Sequence, residues 1–239
     1  YFNMSGSRHS NRGKPAGMTE MEYQIRRWGR FCWLSGDHIV EQAVHEIDVA
    51  NWVMYGHPIR ANGMGGRQVR TGRGNGDIWD HHFVEYEFAD GVRHYAQARQ
   101  MSNTWSHVSD NVHGEKGIMT LGSGPWGMQG EGRGMARASV RRRDRERENP
   151  YQQEHDDLFA SIRGSGPPCF DGDHGADSSM TAVLGRMATY SGQVVTWEDA
   201  VASDLNFALA KYALDADTPT MPDANGDYPV HMPGSGRAL

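Results

Sequence analysis

The apolar positions along the chain change their spacing as it proceeds. Over residues 19–34, "TEMEYQIRRWGRFCWL", the pattern predicts a helix, opened by Thr19 as N-cap with Glu22 at the capping-box spacing. Residues 35–56, "SGDHIVEQAVHEIDVANWVMYG", predict a second helix that Ser35 or Asp37 caps and Gly56 ends. After His57 and Pro58 the period drops from about 3.6 to about 2. "HPIRANGMGGRQVR" reads as a strand interrupted by glycines, and "DHHFVEYEFADGVRHYAQARQM" as a β-hairpin. In that hairpin Val84, Tyr86 and Phe88 share a face, Ala89 to Gly91 make the turn, and Val92, Ala96 and Ala98 lie on the return strand. A further strand pair is expected in "SHVSDNVHGEKGIMTL", with Gly114 and Gly117 bracketing its turn. Residues 122–148 lack periodicity and predict a Gly/Arg-rich surface insertion. Asn149 and Pro150 then cap a helix with Leu158, Phe159 and Ile162 on one face. "SSMTAVLGRMATYSG" predicts a helix ending at Gly192, "TWEDAVAS" begins a short one, and residues 203–239 predict an extended tail.

Composition narrows the class. Of 239 residues 37% are hydrophobic and 30 are glycine, which predicts one domain over 1–239 with long excursions. The net charge is -6, and the basic run "RASVRRRDRERE" turns acidic within itself, so it reads as a solvated loop or helix end and no nucleic acid is expected as partner. No apolar run approaches the roughly 18 residues of a membrane span. Cys32, between Phe31 and Trp33, predicts a buried thiol, and with Cys169 far off no disulfide framework is possible. The opening "YFNMSGSRHS" reads as a point inside a longer gene product, with any targeting signal upstream, so the compartment stays open between cytoplasm and periplasm.

The second helix carries a loaded stripe. His38, Glu41, His45, Asp48 and Trp52 follow steps of three and four, opposite an apolar face of Val40, Ala43, Val44 and Ile47. Three readings fit the pattern. The stripe can face water with modest helix pairs; His38, Glu41 and His45 can hold zinc or manganese; or His45 can move a proton near neutral pH with Glu41 tuning it.

The run "SGDHIVEQAVHEIDVANWVMYGHPIRANGMGGRQVR", followed by "DHHFVEYEFADGVR" and "HGEKGIMTL", resembles the C-terminal half of the glucose-fructose oxidoreductase / inositol dehydrogenase / MocA family, particularly its bacterial sugar oxidoreductases. The later "NPYQQEHDDLFASIR" and "TAVLGRMATYSGQVVTWEDA" are similar to the helices that close these proteins. The resemblance implies an α+β fold, an open, mostly antiparallel β-sheet with helices packed on one face, and a separate Rossmann domain, absent here, that binds NAD or NADP. It also implies a sugar or polyol substrate and a homo-oligomer, dimer or tetramer, formed through the sheet. On the family's Asp-x-x-x-His-x-x-Asp element, Glu41 stands for the first Asp, His45 for the His that takes the alcohol proton, and Asp48 for the second, structural Asp. Glu for Asp lengthens the reach. "GKPAG" holds Lys14 and Pro15, but Gly13 stands where the family's Glu-Lys-Pro element has Glu, so the match reads as coincidence.

Two glycine-rich stretches, "GMGGRQ" and "GRGNG", lack the strand before, helix after and distant acid of a pyrophosphate loop. Arg67, Gln68, Arg99 and Trp105, with His38, are instead expected to face substrate. The reading is thus the substrate-binding and oligomerisation domain of an NAD(P)-dependent sugar oxidoreductase, inert without its nucleotide domain and with no metal. The rival is a stand-alone, non-catalytic carbohydrate-binding or oligomerisation module.

Overall fold

The computed structural model describes residues 1–6, 13–122, 128–132, 135–139 and 149–234. In chain order the elements are β1 (Phe2–Met4), α1 (Glu20–Arg26), a 3-10 turn (Trp28–Arg30), α2 (Cys32–Ser35), α3 (His38–Glu41), α4 (Val44–Met54), β2 (Arg60–Gly66), β3 (His81–Glu87) and β4 (Arg93–Gln100). There follow β5 (His107–Gly114), β6 (Gly117–Gly122), β7 (Met128–Gly132), β8 (Met135–Ser139), α5 (Pro150–Ile162), α6 (Gly172–Ser191), β9 (Val195–Thr196) and α7 (Trp197–Val201). The expected single domain meets a division into two compact units, Tyr1–His107 with Asp177–Leu239, and Val108–Ala176.

In the first unit β4, β3, β2 and β9 pair antiparallel in that order, and β1 joins β4 in parallel. The alternation in β3 explains the layering: His82, Val84 and Tyr86 are buried while His81, Phe83, Glu85 and Glu87 are half-exposed. Helix α6 covers the buried side. Gly185 approaches Tyr86 so closely that an added Cβ would lie 2.0 Å from the hydroxyl. Asn51 of α4 donates to Thr181 of α6 at 2.8 Å, tying the two helices. Trp79, Tyr86, Ile39 and Leu184 are fully buried there, each contributing on the order of 2 kcal/mol of apolar transfer. This is the α+β arrangement expected, an open and mostly antiparallel sheet with helices on one face. The hairpin turn is also as predicted, with Gly91 at φ +83° and Phe88 N–H donating to Val92 at 2.9 Å; Val92 itself lies outside β4 and is exposed.

Several elements depart from the pattern. The first predicted helix ends at Arg26, passes through the 3-10 turn and becomes extended at Phe31 (φ -123°), where Asp77 enters the ladder: its N–H bonds the Arg30 carbonyl at 3.0 Å and its carboxylate accepts from Cys32 N–H at 2.8 Å. The second breaks at Gln42, whose backbone leaves the helical range, and ends on a left-handed Tyr55 rather than at Gly56. Helix α6 begins at Gly172, earlier than its apolar run. In the second unit β5 and β6 form the expected pair closed by Gly114 and Gly117, and strands β7 and β8 extend it within the stretch expected as a Gly/Arg-rich surface insertion. The rest of that insertion, including the basic run from 140 to 148, lies outside the described residues. Asn149 caps α5 as read, but Leu158, Phe159 and Ile162 remain exposed. Both cysteines are free, Cys32 buried and Cys169 exposed. Among the described residues no helix is long and apolar enough to cross a membrane.

The tail from 203 to 234 has no helix and is pinned by specific contacts. Gln24 donates to Thr218 at 2.9 Å and to the Thr220 carbonyl at 2.8 Å, Tyr228 stacks edge-on to Phe31, and Trp79 Nε1 donates to the His231 carbonyl at 3.0 Å.

Candidate functional site

One end of the first unit's sheet gathers the chemistry. There β2 ends at Gly66, β3 begins at His81 and β4 reaches Arg99, which stand opposite one another in register. The link between α3 and α4 reaches the same end through Gln42, whose side-chain carbonyl accepts from Gln100 at 2.5 Å.

Polarity is dictated along this link. Arg70 can only donate, so its guanidinium bonds Gln100 Oε1, which turns the Gln100 amide nitrogen toward Gln42 Oε1. Gln42 Nε2 must then face outward, and it donates to Glu41 Oε1 at 3.2 Å. A directed chain of donors thus runs from a buried guanidinium to the half-buried Glu41 carboxylate. His45, on the first turn of α4, is exposed, and Asp48 is half-buried one turn further.

His38 departs from its expected role. It is 1% exposed, so it cannot touch a substrate arriving from solvent or share an ion with exposed His45. It belongs to a buried cluster around Asp37, a residue held at φ +73°. The Asp37 carboxylate accepts from His38 N–H (2.5 Å), His38 Nδ1 (2.9 Å), Trp79 N–H (2.8 Å) and the Tyr190 hydroxyl (2.7 Å), with His82 Nε2 at 3.4 Å. Burial alone would raise the Asp37 pKa, but the contacts with His82 and His38 outweigh it and hold the carboxyl well below its usual range. His82 is pushed down to about 4 by burial. Asp37, His38 and His82 offer ligand atoms within 4.8 Å of one another. The donors already on the carboxylate give it a hydrogen-bonding role, joining the start of α3 to the sheet and α6.

A second Asp–His pair lies next door. Asp80, also fully buried, accepts from the N–H groups of Gln68 (2.8 Å), Val69 (2.6 Å) and Arg70 (3.1 Å) on one oxygen, and from His81 Nδ1 at 2.7 Å on the other. Desolvation raises its pKa, but the His81 bond and the three N–H groups bring it below the ordinary value. The expected substrate residues fall into two places. Arg67 anchors the loop, donating to the carbonyls of Arg70 and Gly76, and Gln68 points its side chain outward. Arg99 donates to the Trp105 carbonyl at 2.7 Å, and the Trp105 ring, 59% exposed, stacks on His107 at 4.6 Å.

The glycine stretch is strand, not a phosphate loop. Gly63 and Gly65 lie within β2, where an added Cβ would meet the Phe83 and His81 carbonyls at 2.6 and 2.5 Å, so close strand packing is what requires glycine. The residues of this stretch therefore do not fit a dinucleotide.

Sequence reasoning passed over Asp37, Gln42, Arg70, Asp80, His81, Gln100 and His231. The dipeptides Asp37-His38 and Asp80-His81 were visible, but the helical and strand periods assigned them to element starts, where polar residues are ordinary.

Residues 9–120 match the family described as the GFO/IDH/MocA C-terminal domain. Solved structures with the same fold include an aldose-aldose oxidoreductase from Caulobacter crescentus complexed with glycerol (16% identity, TM-score 0.58, covering 71% of this chain and 50% of that one). Others are the WlbA dehydrogenase from Bordetella pertussis in complex with NADH and UDP-GlcNAcA (16%, 0.51, 77% and 51%) and a myo-inositol 2-dehydrogenase from Lactobacillus plantarum (17%, 0.51, 68% and 49%). The chain spans about half the length of these proteins. No curated protein matches it at a significant level. The matched segment is a little under half of the chain, and its family is the one that the sequence resembles.

Proposed function

We propose that the chain is the substrate-binding half of a nicotinamide-dependent oxidoreductase acting on a hydroxyl of a sugar or polyol. The observation that supports this reading is that Glu41, the last residue of α3, and exposed His45, on the first turn of α4, both lie inside the segment that matches the family. Two of the similar proteins, the aldose-aldose oxidoreductase and the myo-inositol 2-dehydrogenase, are named for a sugar or polyol, and the WlbA dehydrogenase was solved with NADH and UDP-GlcNAcA. NAD or NADP, when bound by residues outside these 239, supplies the hydride acceptor.

Within the chain, His45 accepts the hydroxyl proton as the carbinol is oxidised. Glu41 orients and tunes that imidazole, and Asp48 supports the helix. The donor chain from Arg70 keeps Glu41 an acceptor, so its carboxylate is available to hold a cationic ring. Arg99 and Trp105 supply a fork and an aromatic surface for the substrate. The half-exposed sheet face, where Phe83 stacks on Tyr95 at 6.2 Å, is the surface we assign to association between copies.

The test is turnover of the full-length gene product on a panel of sugars, followed by cofactor absorbance. His45→Ala is expected to lower turnover by about 10²- to 10⁴-fold with cofactor binding unchanged. Equal activity in the variant would reject the proton-transfer role and favour the non-catalytic module.

A further inference from the structure

A cavity of about 470 Å³ lies between the end of β2 and the C-terminal tail, with Arg67, His81, Asp227 and His231 among its lining residues. Its size is within the roughly 300–1,000 Å³ of small-ligand pockets. We propose that this cavity binds a neutral polyhydroxyl ligand, a single sugar or cyclitol ring, through His81 and His231 acting as hydrogen-bond acceptors.

Two imidazoles have their tautomers fixed from behind. His81 Nδ1 faces the Asp80 carboxylate at 2.7 Å, which only accepts, so Nδ1 carries the hydrogen and Nε2 is left as an acceptor. Asp80 cannot swing away, since three backbone N–H groups hold its other oxygen. His231 Nε2 meets the Tyr190 carbonyl at 2.8 Å, so its hydrogen sits there and Nδ1 is left as an acceptor. His231 is also held by its ring, stacked on Tyr190 at 4.8 Å and 8°, with Trp79 donating to its carbonyl.

The remaining polar lining decides the ligand class. Asp227 adds a carboxylate, and the Arg67 guanidinium is already engaged by the Arg70 and Gly76 carbonyls. The Arg67 charge is set against that of Asp227, and the pocket's remaining polar groups are acceptors. With Asp227 opposing Arg67, a phosphate or carboxylate gains no net charge attraction there, whereas hydroxyl hydrogens find acceptors on His81, His231 and Asp227. Val230 and Met232 give an apolar wall for the C–H face of a ring.

That wall belongs to residues 227–233, beyond the segment 9–120 that matches the family. The pocket connects to the proposed catalytic pair: Arg70, whose N–H binds Asp80, starts the donor chain that ends on Glu41. The inference deepens the oxidoreductase reading and rests on it for the choice of sugars as probes.

The test is nuclear magnetic resonance of the chain labelled in its histidine rings, titrated with D-glucose, myo-inositol and D-glucose 6-phosphate. Saturable shifts of the His81 and His231 rings are expected with glucose or inositol, at a dissociation constant on the order of 1 mM. Gly66→Val fills the space beside His81, since a Cβ at Gly66 already lies 3.7 Å from that ring. It should weaken binding by about tenfold or more. His81→Phe keeps a ring and removes the acceptor, and the His231 shifts should then report a loss of about fivefold or more. The proposal is overturned if neither neutral probe shifts either ring, if a correctly folded Gly66→Val or His81→Phe binds as well as the parent, or if the phosphate ester binds more tightly. Binding is read without turnover. The pocket can therefore fail while His45→Ala still abolishes activity, and it can stand if that variant proves active.

Discussion

Two Asp-His dipeptides, Asp37-His38 and Asp80-His81, make the same bond and have opposite consequences. In each, a fully buried carboxylate accepts from the next residue's Nδ1, at 2.9 and 2.7 Å. His38 is sealed, with Asp37 also holding Trp79, Tyr190 and the approach of His82. The His81 side chain is 39% exposed beside a cavity. The carboxylate does the same work twice, fixing a tautomer. What separates a packing element from a binding group is where the second ring nitrogen points.

The sharpest way to break this comparison is to remove the buried carboxylate. Asp37→Ala leaves the Trp79 N–H, the Tyr190 hydroxyl and the His38 ring without their acceptor, and should destabilise the first unit by about 3–5 kcal/mol. Urea unfolding followed by near-ultraviolet circular dichroism measures it. A loss under about 1 kcal/mol would mean that the buried pair does not hold α3 to the sheet.

The acid side of the stability curve comes next in size. His82 and His94 are both pushed down to about 4 by burial, and Asp77 is pushed up to about 7 by burial. Between pH 4 and about 6.5 the unfolded state holds a proton on each of the two histidines that the folded state lacks, while the folded state alone keeps one on Asp77. The net is one proton. The first unit should therefore lose about 1.4 kcal/mol per pH unit on acidification through this window, or about 3 kcal/mol in all. Above pH 6.5 Asp77 acts alone and stability declines gently as pH rises toward 7, so the optimum falls near 6.5. Asp37, held well below the carboxylate range, keeps its contribution throughout the window and loses it only at lower pH. Asp110, raised to about 6 by burial, lies in the second unit and bears on that unit's curve. Urea midpoints from pH 4.5 to 7.5 test the sign, and a flat profile would show that these groups stay hydrated.

Legibility in the sequence followed the range of the interactions. The hairpin was readable because Asp90 and Gly91 sit between alternating strands, and the capping box of Thr19 and Glu22 because its partners are three residues apart. The family resemblance, carried by the run through Glu41 and His45, supplied the sheet architecture that periodicity alone left open. The break at Gln42 was hidden, since its cause is Gln100, fifty-eight positions away. The same holds for Tyr190 on Asp37, 153 residues distant, and for His231 against Trp79. The tail has no period to read, so a wall made from it could not be foreseen. His38 was misplaced because an i, i+3, i+4 stripe assumes one continuous helix, whereas α3 ends at Glu41 and α4 starts at Val44.

The smallest effect separates the two histidines themselves. His38→Ala removes a ring that is 1% exposed and leaves part of the Asp37 carboxylate without its donor, so a loss of about 2 kcal/mol is expected. His81→Ala removes a half-exposed ring at the cavity. Asp80 keeps its three backbone donors, so stability should change by no more than about 0.5 kcal/mol. Measured side by side by urea unfolding, the two values should differ by about 1.5 kcal/mol, the inner ring being the costlier loss. Equal losses would mean that His81 too is part of the packing, and its nitrogen would then have no claim to be a binding group.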